Sequence, residues 1–390
     1  MQRVDYPARA GWQPKVESQG LWFHTAGEVP YWDESHHYLF EASEIDELEH
    51  ATYELNEMCF EAVDRVIRND LFERFQIPKP YRDWIAASWQ QDDLTLYGRF
   101  DLVYDGQEPP ALLEYNADTP TAVLEAAVIQ WFWFQDYLAS SGGRWGKFDQ
   151  FNSLHERLIE AWGLVKARTS GKVHFAGLDE YDSLEDFMTV SYLRDTAQQA
   201  GLQTEFLPMN CIGWNDLRRE FVDQRETRIE TLFKLYPWEW MVREEFGPYL
   251  PDSQVRWFEP PWKMLLSNKA LLPTLHEMFP DSPHVLPAAF EPLSGTYVKK
   301  PIFSREGANI AIVSDGEVML ETKGAYGDGP FIYQEFRPLP RFGECCPVIG
   351  SWLVNGHACG IGIREDQSLI TGNLSRFVPH LFRRKESSDW

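Results

Sequence analysis

The longest stretch of apolar residues at helical spacing lies near the start of the chain. Between residues 43 and 70 they recur every three or four positions, and Ser43 and Asp46 are spaced like a capping box. A second stretch, residues 120–138, has Thr119 where an N-cap is expected. We therefore predict two long helices, the first of them amphipathic.

The middle of the chain alternates between helical and strand-like patterns. A helix is predicted over residues 152–167, an apolar strand over 172–176, a helix over 187–200 and a strand over 204–207, with an acidic loop at 179–186. A strand, a helix and a second strand in this order are typical of an α/β layer.

The last third of the chain is dominated by short stretches of alternating polarity. After a short helix at 269–278, strands are predicted at 296–301, 308–314, 318–321 and 331–336. We expect mostly antiparallel sheet here, so that the chain as a whole belongs to the mixed α/β (α+β) class.

Length and charge narrow the possible functions. The chain has 390 residues, enough for two or three lobes around a cleft, and its formal net charge is −24. Such a charge repels phosphate backbones and anionic bilayers and attracts cations, so neither nucleic acid nor membrane is expected as a partner. No apolar stretch is long enough to span a bilayer, no signal peptide is evident, and the five cysteines form no disulfide pattern. We predict a cytoplasmic protein.

A predicted hairpin brings polar side chains together. Two alternating stretches flank turn-forming residues at 105–110. Centring the hairpin on this turn places Asp101 opposite Glu114 and Arg99 opposite Asn116, all on one face. The sequence therefore predicts a cluster of two carboxylates, an amide and a guanidinium.

This cluster has two interpretations. Opposed carboxylates repel unless a cation lies between them, and oxygen ligands from Asp101, Glu114 and Asn116 suit Mg²⁺, with Arg99 beside it for a phosphate or a carboxylate. The pattern is equally typical of an arginine–carboxylate network on a solvated sheet face.

Two further segments have weaker signals. The strand ending at Lys300 enters a loop with Ser304, Arg305 and Gly307, which suits a lid over a triphosphate but also an ordinary hairpin turn with surface charges. Near residues 331–336, Gln334 or Glu335 could bind the edge of an adenine, although by itself this is a strand end.

Taken together and in order, these motifs resemble the glutathionylspermidine synthase family in its stand-alone form, without an amidase domain. The runs that carry the resemblance are Gly-Arg-Phe-Asp101, Glu-Tyr-Asn-Ala-Asp-Thr119, Ser-Asn-Lys-Ala270, Lys-Lys-Pro301, Tyr-Gln-Glu-Phe336 and Gly-Ile-Gly-Ile-Arg-Glu365. The resemblance implies an ATP-grasp fold with a pre-ATP-grasp α/β lobe and a permuted order of metal and lysine motifs. We expect an N-terminal helical lobe with the metal-binding hairpin at 1–165, an α/β lobe at 166–260 and an ATP-grasp lobe with the nucleotide lid at 261–390.

The resemblance also implies roles for individual residues. Metal ligands for two Mg²⁺ would be Asp101, Glu114 and Asn116; ATP contacts would come from Arg99, Asp101, Lys269, Lys300, Gly307, Gln334, Glu335 and Phe336; catalytic arginines would be Arg99, Arg305 and Arg364; and substrate contacts would come from Thr119, Glu185 and Asp186. Leu235 falls where the family's bifunctional enzyme contributes a peptide-contacting Thr, which puts glutathione itself in doubt as the substrate.

The implied reaction is ATP-dependent amide formation through an acyl phosphate, joining a small-molecule or peptide carboxylate to a cationic amine such as spermidine. The acidic loop at 179–186 has five carboxylates in eight residues, which usually marks a solvated turn but suits a cationic nucleophile if it faces the cleft. The alternatives are a phosphotransferase that uses the same cleft and a nucleotide- or polyamine-binding protein without turnover. The oligomeric state stays open.

Overall fold

The computed structural model describes residues 1–140, 146–169, 171–327, 329–373 and 375–385. Short helical turns supplement the α-helices, and a π-helical segment, Glu125–Ile129, runs directly into one of them. The α-helices are α1 (Trp12–Ser18), α2 (Ala42–Arg68), α3 (Arg82–Gln90), α4 (Gln130–Ser140), α5 (Leu154–Arg168), α6 (Leu184–Gln199), α7 (Trp238–Met241) and α8 (Leu271–Met278).

The strands form mixed, parallel and antiparallel sheets. In chain order they are β1 (Gln2–Asp5), β2 (Thr25–Ala26), β3 (Val29–Pro30), β4 (His36–Glu41), β5 (Tyr97–Val103), β6 (Ala111–Asn116), β7 (Phe148–Asp149), β8 (Val173–Gly177), β9 (Thr204–Pro208), β10 (Gly213–Asn215), β11 (Glu220–Val222), β12 (Thr231–Lys234), β13 (Arg256–Phe258), β14 (Ala288–Ala289), β15 (Thr296–Pro301), β16 (Ala311–Ser314), β17 (Glu317–Glu321), β18 (Phe331–Glu335), β19 (Cys346–Val354), β20 (His357–Asp366), β21 (Arg376–Val378) and β22 (His380–Arg383).

The central sheet is antiparallel, with strand order β21-β20-β19-β5-β6, and joins the predicted hairpin to strands from the end of the chain. Strand β5 is buried along its whole length. The predicted pairing at the polar cluster is confirmed: Asp101 lies opposite Glu114, and Arg99 opposite Asn116. A bulge between Asp101 and Leu102 shifts the register nearer the turn.

Helix α2 packs against this sheet through its apolar face, and Thr52 on the helix shares a hydrogen bond with Ser351 on β19 at 2.6 Å. The predicted helix is confirmed, but its capping box is wrong. The capping residues are Glu41 and Glu44, so the helix begins before Ser43.

The second predicted helix starts later than expected, and Thr119 is not its N-cap. Ala122 has a left-handed backbone with φ of 66°, and the Thr121 carbonyl accepts a hydrogen bond from the Arg99 guanidinium at 2.8 Å. The helix, including its π-helical segment, therefore begins only after Ala122. Thr119 lies before the helix and lines the cleft.

A parallel sheet in the order β13-β12-β8-β9 confirms the predicted strand–helix–strand unit, with α6 connecting β8 to β9. Helix α6 begins earlier than predicted, because the Ser183 hydroxyl caps it by accepting the Asp186 N–H. Glu185 and Asp186 therefore lie in the first helical turn.

The second antiparallel sheet, β14-β18-β15-β16-β17, confirms the predicted antiparallel character of the last third of the chain. Strand β16 begins three residues later than predicted, because Glu306, Gly307 and Asn309 have left-handed backbones that a strand does not accommodate. The order β1-β4-β22-β7 joins both ends of the chain in one further sheet. Among the described residues, no helix combines the length and the apolar character needed to cross a bilayer.

Candidate active site

A cleft of about 370 Å³ lies where the β5–β6 hairpin, strands β15 and β18 and the start of α6 meet. Every residue for which the sequence suggested a role in the site lines this cleft. They are Arg99, Asp101, Glu114, Asn116, Thr119, Glu185, Asp186, Lys269, Lys300, Arg305, Gly307, Gln334, Glu335, Phe336 and Arg364, and Leu235 lies among them.

Asp101 is surrounded by cations. Its carboxylate accepts hydrogen bonds from Arg99 Nε at 2.6 Å and Arg99 Nη2 at 3.1 Å, and from Arg364 Nη2 at 3.0 Å. Arg99 is buried, and its guanidinium also lies over the Trp352 ring. Both guanidinium groups are hydrogen-bonded to the same carboxylate. Their orientation is therefore fixed before any anion binds.

Glu114 lies across the hairpin from Asp101. Its carboxylate pairs with Lys269 Nζ at 2.9 Å and accepts the Asn116 amide N–H at 3.3 Å. Burial opposes ionisation of Glu114, but the charges of Lys269 and Lys300 outweigh it and hold the pKa of this carboxyl well below its ordinary value. The group is therefore ionised at neutral pH.

Lys300 is a buried lysine at the floor of the cleft. Its ammonium donates to Leu113 O at 2.9 Å and to Gln334 Oε1 at 2.7 Å. Burial, together with the nearby Lys269, lowers the pKa of Lys300 to about 8, against the opposing charge of Glu114. Two of its three N–H groups are thus used to orient it.

The segment predicted to bind adenine is largely committed to the fold. The Gln334 amide accepts from Lys300 and donates to Leu112 O at 2.9 Å. The N–H groups of Glu335 and Phe336 donate to Pro287 O at 2.7 Å and Thr296 O at 3.1 Å. Gln334 therefore positions Lys300.

The loop after β15 lines the cleft, and Arg305 ties it to Thr119 and Glu239. The guanidinium donates to Thr119 Oγ1 at 2.7 Å and to Glu239 Oε1 at 2.7 and 3.0 Å. Gly307 has φ of +69°, and a Cβ there would lie 2.5 Å from Thr371 O, so glycine is required where the loop turns back.

One wall of the cleft is acidic. Burial, and then the neighbouring Glu185, raise the pKa of Asp186 to about 7, and burial raises the pKa of Glu185 as well. Glu125 does not itself line the cleft; it accepts a hydrogen bond from Tyr31 at 2.8 Å, and burial raises its pKa to about 7. A cation bound beside carboxyls with raised pKa values would stabilise their ionised form.

Two charged pairs that support the site were missed by the sequence analysis. Glu239 pairs with Arg305, and Asp118 pairs with Lys234 at 2.6 Å, where both side chains are fully buried. Asp118 also accepts the Trp238 N–H at 2.9 Å, which fixes the start of α7, the helix that carries Glu239. The one signal in the sequence was Lys234, a lysine at the end of an apolar strand. A buried charge of this kind requires a partner of opposite charge.

The hairpin has a donor set that fits Mg²⁺. Each carboxylate oxygen has room for about two hydrogen bonds or ligand bonds. Asp101 Oδ1 and both oxygens of Glu114 each have a single partner among the hydrogen bonds and ion pairs of the described residues. The Asn116 amide could bring its oxygen to the same place by a simple flip.

Comparison with known proteins identifies a family that matches this chain. Residues 3–383 match the family model "Glutathionylspermidine synthase preATP-grasp". A Haemophilus influenzae protein whose name proposes an acid–amine ligase is 41% identical over 90% of this chain and 91% of its own length. Trypanothione synthetase of Crithidia fasciculata is 30% identical over 83% of this chain, which spans about half (53%) of that longer protein.

The fold is also found among solved structures. A glutathione synthetase-like effector of Globodera pallida superimposes with a TM-score of 0.58, at 10% identity, over 96% of this chain and 98% of its own. The mixed α/β architecture is therefore of the glutathione synthetase type.

Proposed function

The chain belongs to the glutathionylspermidine synthase family, and we propose that it is an ATP-dependent carboxylate–amine ligase that joins a peptide carboxylate to a cationic amine. The observation that carries the proposal is the division of the cleft into two electrostatic halves. Arg99, Lys269, Lys300 and Arg364 surround the hairpin carboxylates, and the acidic start of α6 lines the same cleft from a separate element. A polyphosphate suits the first half and an ammonium group the second.

ATP would lie along the cationic half. Lys269 and Lys300 point their ammonium groups at the hairpin, and Arg364 approaches from β20. Asp101, Glu114 and Asn116 would hold Mg²⁺, two ions in the fullest arrangement, whose chemistry would be to neutralise phosphate charge. These ligands precede both lysines in the sequence, which supports an ATP-grasp site with a permuted order of motifs.

The first step is attack of a substrate carboxylate oxygen on the γ-phosphorus of ATP. The bond to the oxygen bridging the β and γ phosphorus atoms breaks, ADP leaves, and an acyl phosphate forms. Two anions approach each other in this step, so fixed positive charge is the main requirement. Arg99, held by Asp101, supplies that charge without reorganising, and Arg305, paired with Glu239, supplies it from the loop at 304–309.

The second step is attack of the amine nitrogen on the acyl carbon, which releases inorganic phosphate and leaves an amide. An ammonium group must lose a proton before it can attack. Asp186, whose pKa is raised to about 7, is suited to accept that proton near neutral pH. Glu185 and Asp186 therefore support a cationic amine of the polyamine type as the second substrate.

The peptide side of the site is less polar than the amine side. Leu235 and Trp240 line the cleft near Thr119, whose hydroxyl binds Arg305. This wall offers apolar contact and one hydroxyl to an acyl substrate. An ATP-consuming enzyme with five free thiols is suited to the cytoplasm.

A screen for ADP release, with short peptides crossed against polyamines and amino acids, tests the proposal. We expect ADP to appear only when a carboxylate and a cationic amine are both present. ADP formed with the carboxylate alone, together with a stable phosphorylated product, would instead identify a phosphotransferase. Nucleotide binding that raises thermal stability without any ADP release would identify a binding protein.

A further inference from the structure

A histidine and two carboxylates meet outside the cleft. His174 on β8 lies directly opposite Glu205 on the neighbouring parallel strand β9, and Asp223 reaches the same place from the end of the β10–β11 hairpin. One ligand atom from each of the three side chains lies within 4.8 Å of the other two. None of the three residues lines the cleft.

The histidine is buried and lacks a hydrogen bond to any described residue. The His174 side chain is 2% exposed, and neither ring nitrogen has a hydrogen-bond partner in the part of the chain that the structure describes. Within the same residues, Oδ2 of Asp223, on a side chain that is 5% exposed, also has none. Unpaired polar atoms are costly in the interior, so His174 Nε2 and Asp223 Oδ2, which face each other, require an explanation.

The distances fit a tetrahedral metal ion better than a hydrogen bond. His174 Nε2 and Asp223 Oδ2 are 3.5 Å apart. Metal–ligand bonds of about 2.0–2.2 Å at a tetrahedral zinc ion place neighbouring ligand atoms about 3.4 Å from each other. An imidazole with two carboxylates suits zinc and similar transition metals, whereas Mg²⁺ and Ca²⁺ prefer oxygen ligands throughout.

The surroundings hold the ligands in place. Asp223 Oδ1 accepts the N–H groups of Arg225 at 2.8 Å and Thr227 at 2.9 Å, which orients the side chain and leaves Oδ2 for the metal. Glu205 is half-buried and pairs with Lys172, so it forms the side of the cluster that is open to solvent. A metal ion would share this carboxylate with the lysine.

We propose that His174, Glu205 and Asp223 bind a divalent transition metal of the zinc type, with water completing the coordination. The site is structural: it fastens the β10–β11 hairpin to the parallel sheet, whose opposite end contributes to the cleft. Zinc binding here is separate from ATP binding at the hairpin carboxylates and does not depend on the proposed ligase activity.

Calorimetric titration of the full chain with zinc chloride, in a large excess of Mg²⁺ to occupy the cleft, tests the proposal. We expect one zinc ion per chain in the native protein and a loss of affinity of at least about a hundredfold in Asp223→Asn. Asparagine retains the Oδ1 acceptor for the turn and removes the ligand oxygen. Asp105→Asn is the matched control, because Asp105 Oδ1 likewise accepts two backbone N–H groups, from Gln107 and Glu108, and Asp105 is not part of the histidine cluster.

Zinc should also raise the unfolding temperature of the native chain and of Asp105→Asn, but not of Asp223→Asn. If Asp223→Asn does not fold, the partly exposed Glu205→Gln takes its place in both measurements. Absence of zinc binding in the native chain would overturn the proposal. Equal zinc affinity in the ligand variants and the control would also overturn it, since the ion would then lie elsewhere.

Discussion

Raising the pH should weaken ATP binding, because the ammonium of Lys300 loses its proton unusually early. Its pKa is lowered from 10.5 to about 8, mainly by burial, while Glu114 opposes the change. With a pKa of about 8, the free protein is about nine-tenths protonated at about pH 7 and about one-tenth protonated at about pH 9. If ATP binds the protonated form, its affinity falls by about tenfold over this range, or about 1.4 kcal/mol.

The sign follows from linkage. The ATP phosphates favour the charged lysine, so the pKa is higher in the complex than in the free protein, and binding takes up a proton between the two values. The ATP affinity therefore begins to fall when the pH approaches the pKa of Lys300 in the free protein, and it falls further as the pH rises. Below that pH, Lys300 has little effect on the affinity.

Equilibrium binding of a non-hydrolysable ATP analogue, in constant excess Mg²⁺, measures the effect without turnover. The control is Lys300→Arg, whose guanidinium stays charged throughout. We expect the pH dependence to disappear in this variant even if its affinity is lower overall. A flat profile in the native protein, or the same slope in Lys300→Arg, would refute the role given to Lys300.

Three other perturbations probe the metal ligands, the loop and the amine side. Glu114→Gln keeps the shape of the side chain and removes its charge, so ADP formation should fall by at least about a hundredfold with an unchanged circular dichroism spectrum; undiminished turnover would contradict this. A non-hydrolysable ATP analogue should slow tryptic cleavage after Arg305, because the loop at 304–309 closes over the phosphates; equal cleavage rates would count against closure. Glu185→Gln combined with Asp186→Asn should raise KM for a cationic amine, more at low salt than at high, and leave KM for ATP unchanged; an unaltered amine KM would exclude the acidic wall from amine binding.

The polar cluster on the hairpin could be predicted from the sequence because strand alternation and a nearby turn determine which side chains share a face. The prediction depended on one feature that the sequence did not reveal. Pairing between Leu102 and the turn is shifted by one residue, and the bulge after Asp101 restores the pairing of Asp101 with Glu114. Without the bulge, Glu114 would face the other side of the sheet.

Contacts between distant segments could not be predicted in the same way. Arg305 and Glu239 are 66 residues apart, and Lys234 and Asp118 are 116 apart. Periodicity reports which face of an element is buried, but not which element packs against it. Thr119 was therefore interpreted as a helix cap, although its hydroxyl is the partner of Arg305.

The most direct test of the proposed ligase reaction follows the oxygen atoms of the carboxylate substrate. With ¹⁸O in that carboxylate, in the presence of ATP, Mg²⁺ and a cationic amine, we predict that one labelled oxygen moves into inorganic phosphate for each amide formed. ADP, phosphate and amide should appear in equal amounts. Amide formation without label in the phosphate would contradict an acyl phosphate intermediate, and ADP release without any amide would contradict the proposed ligase function.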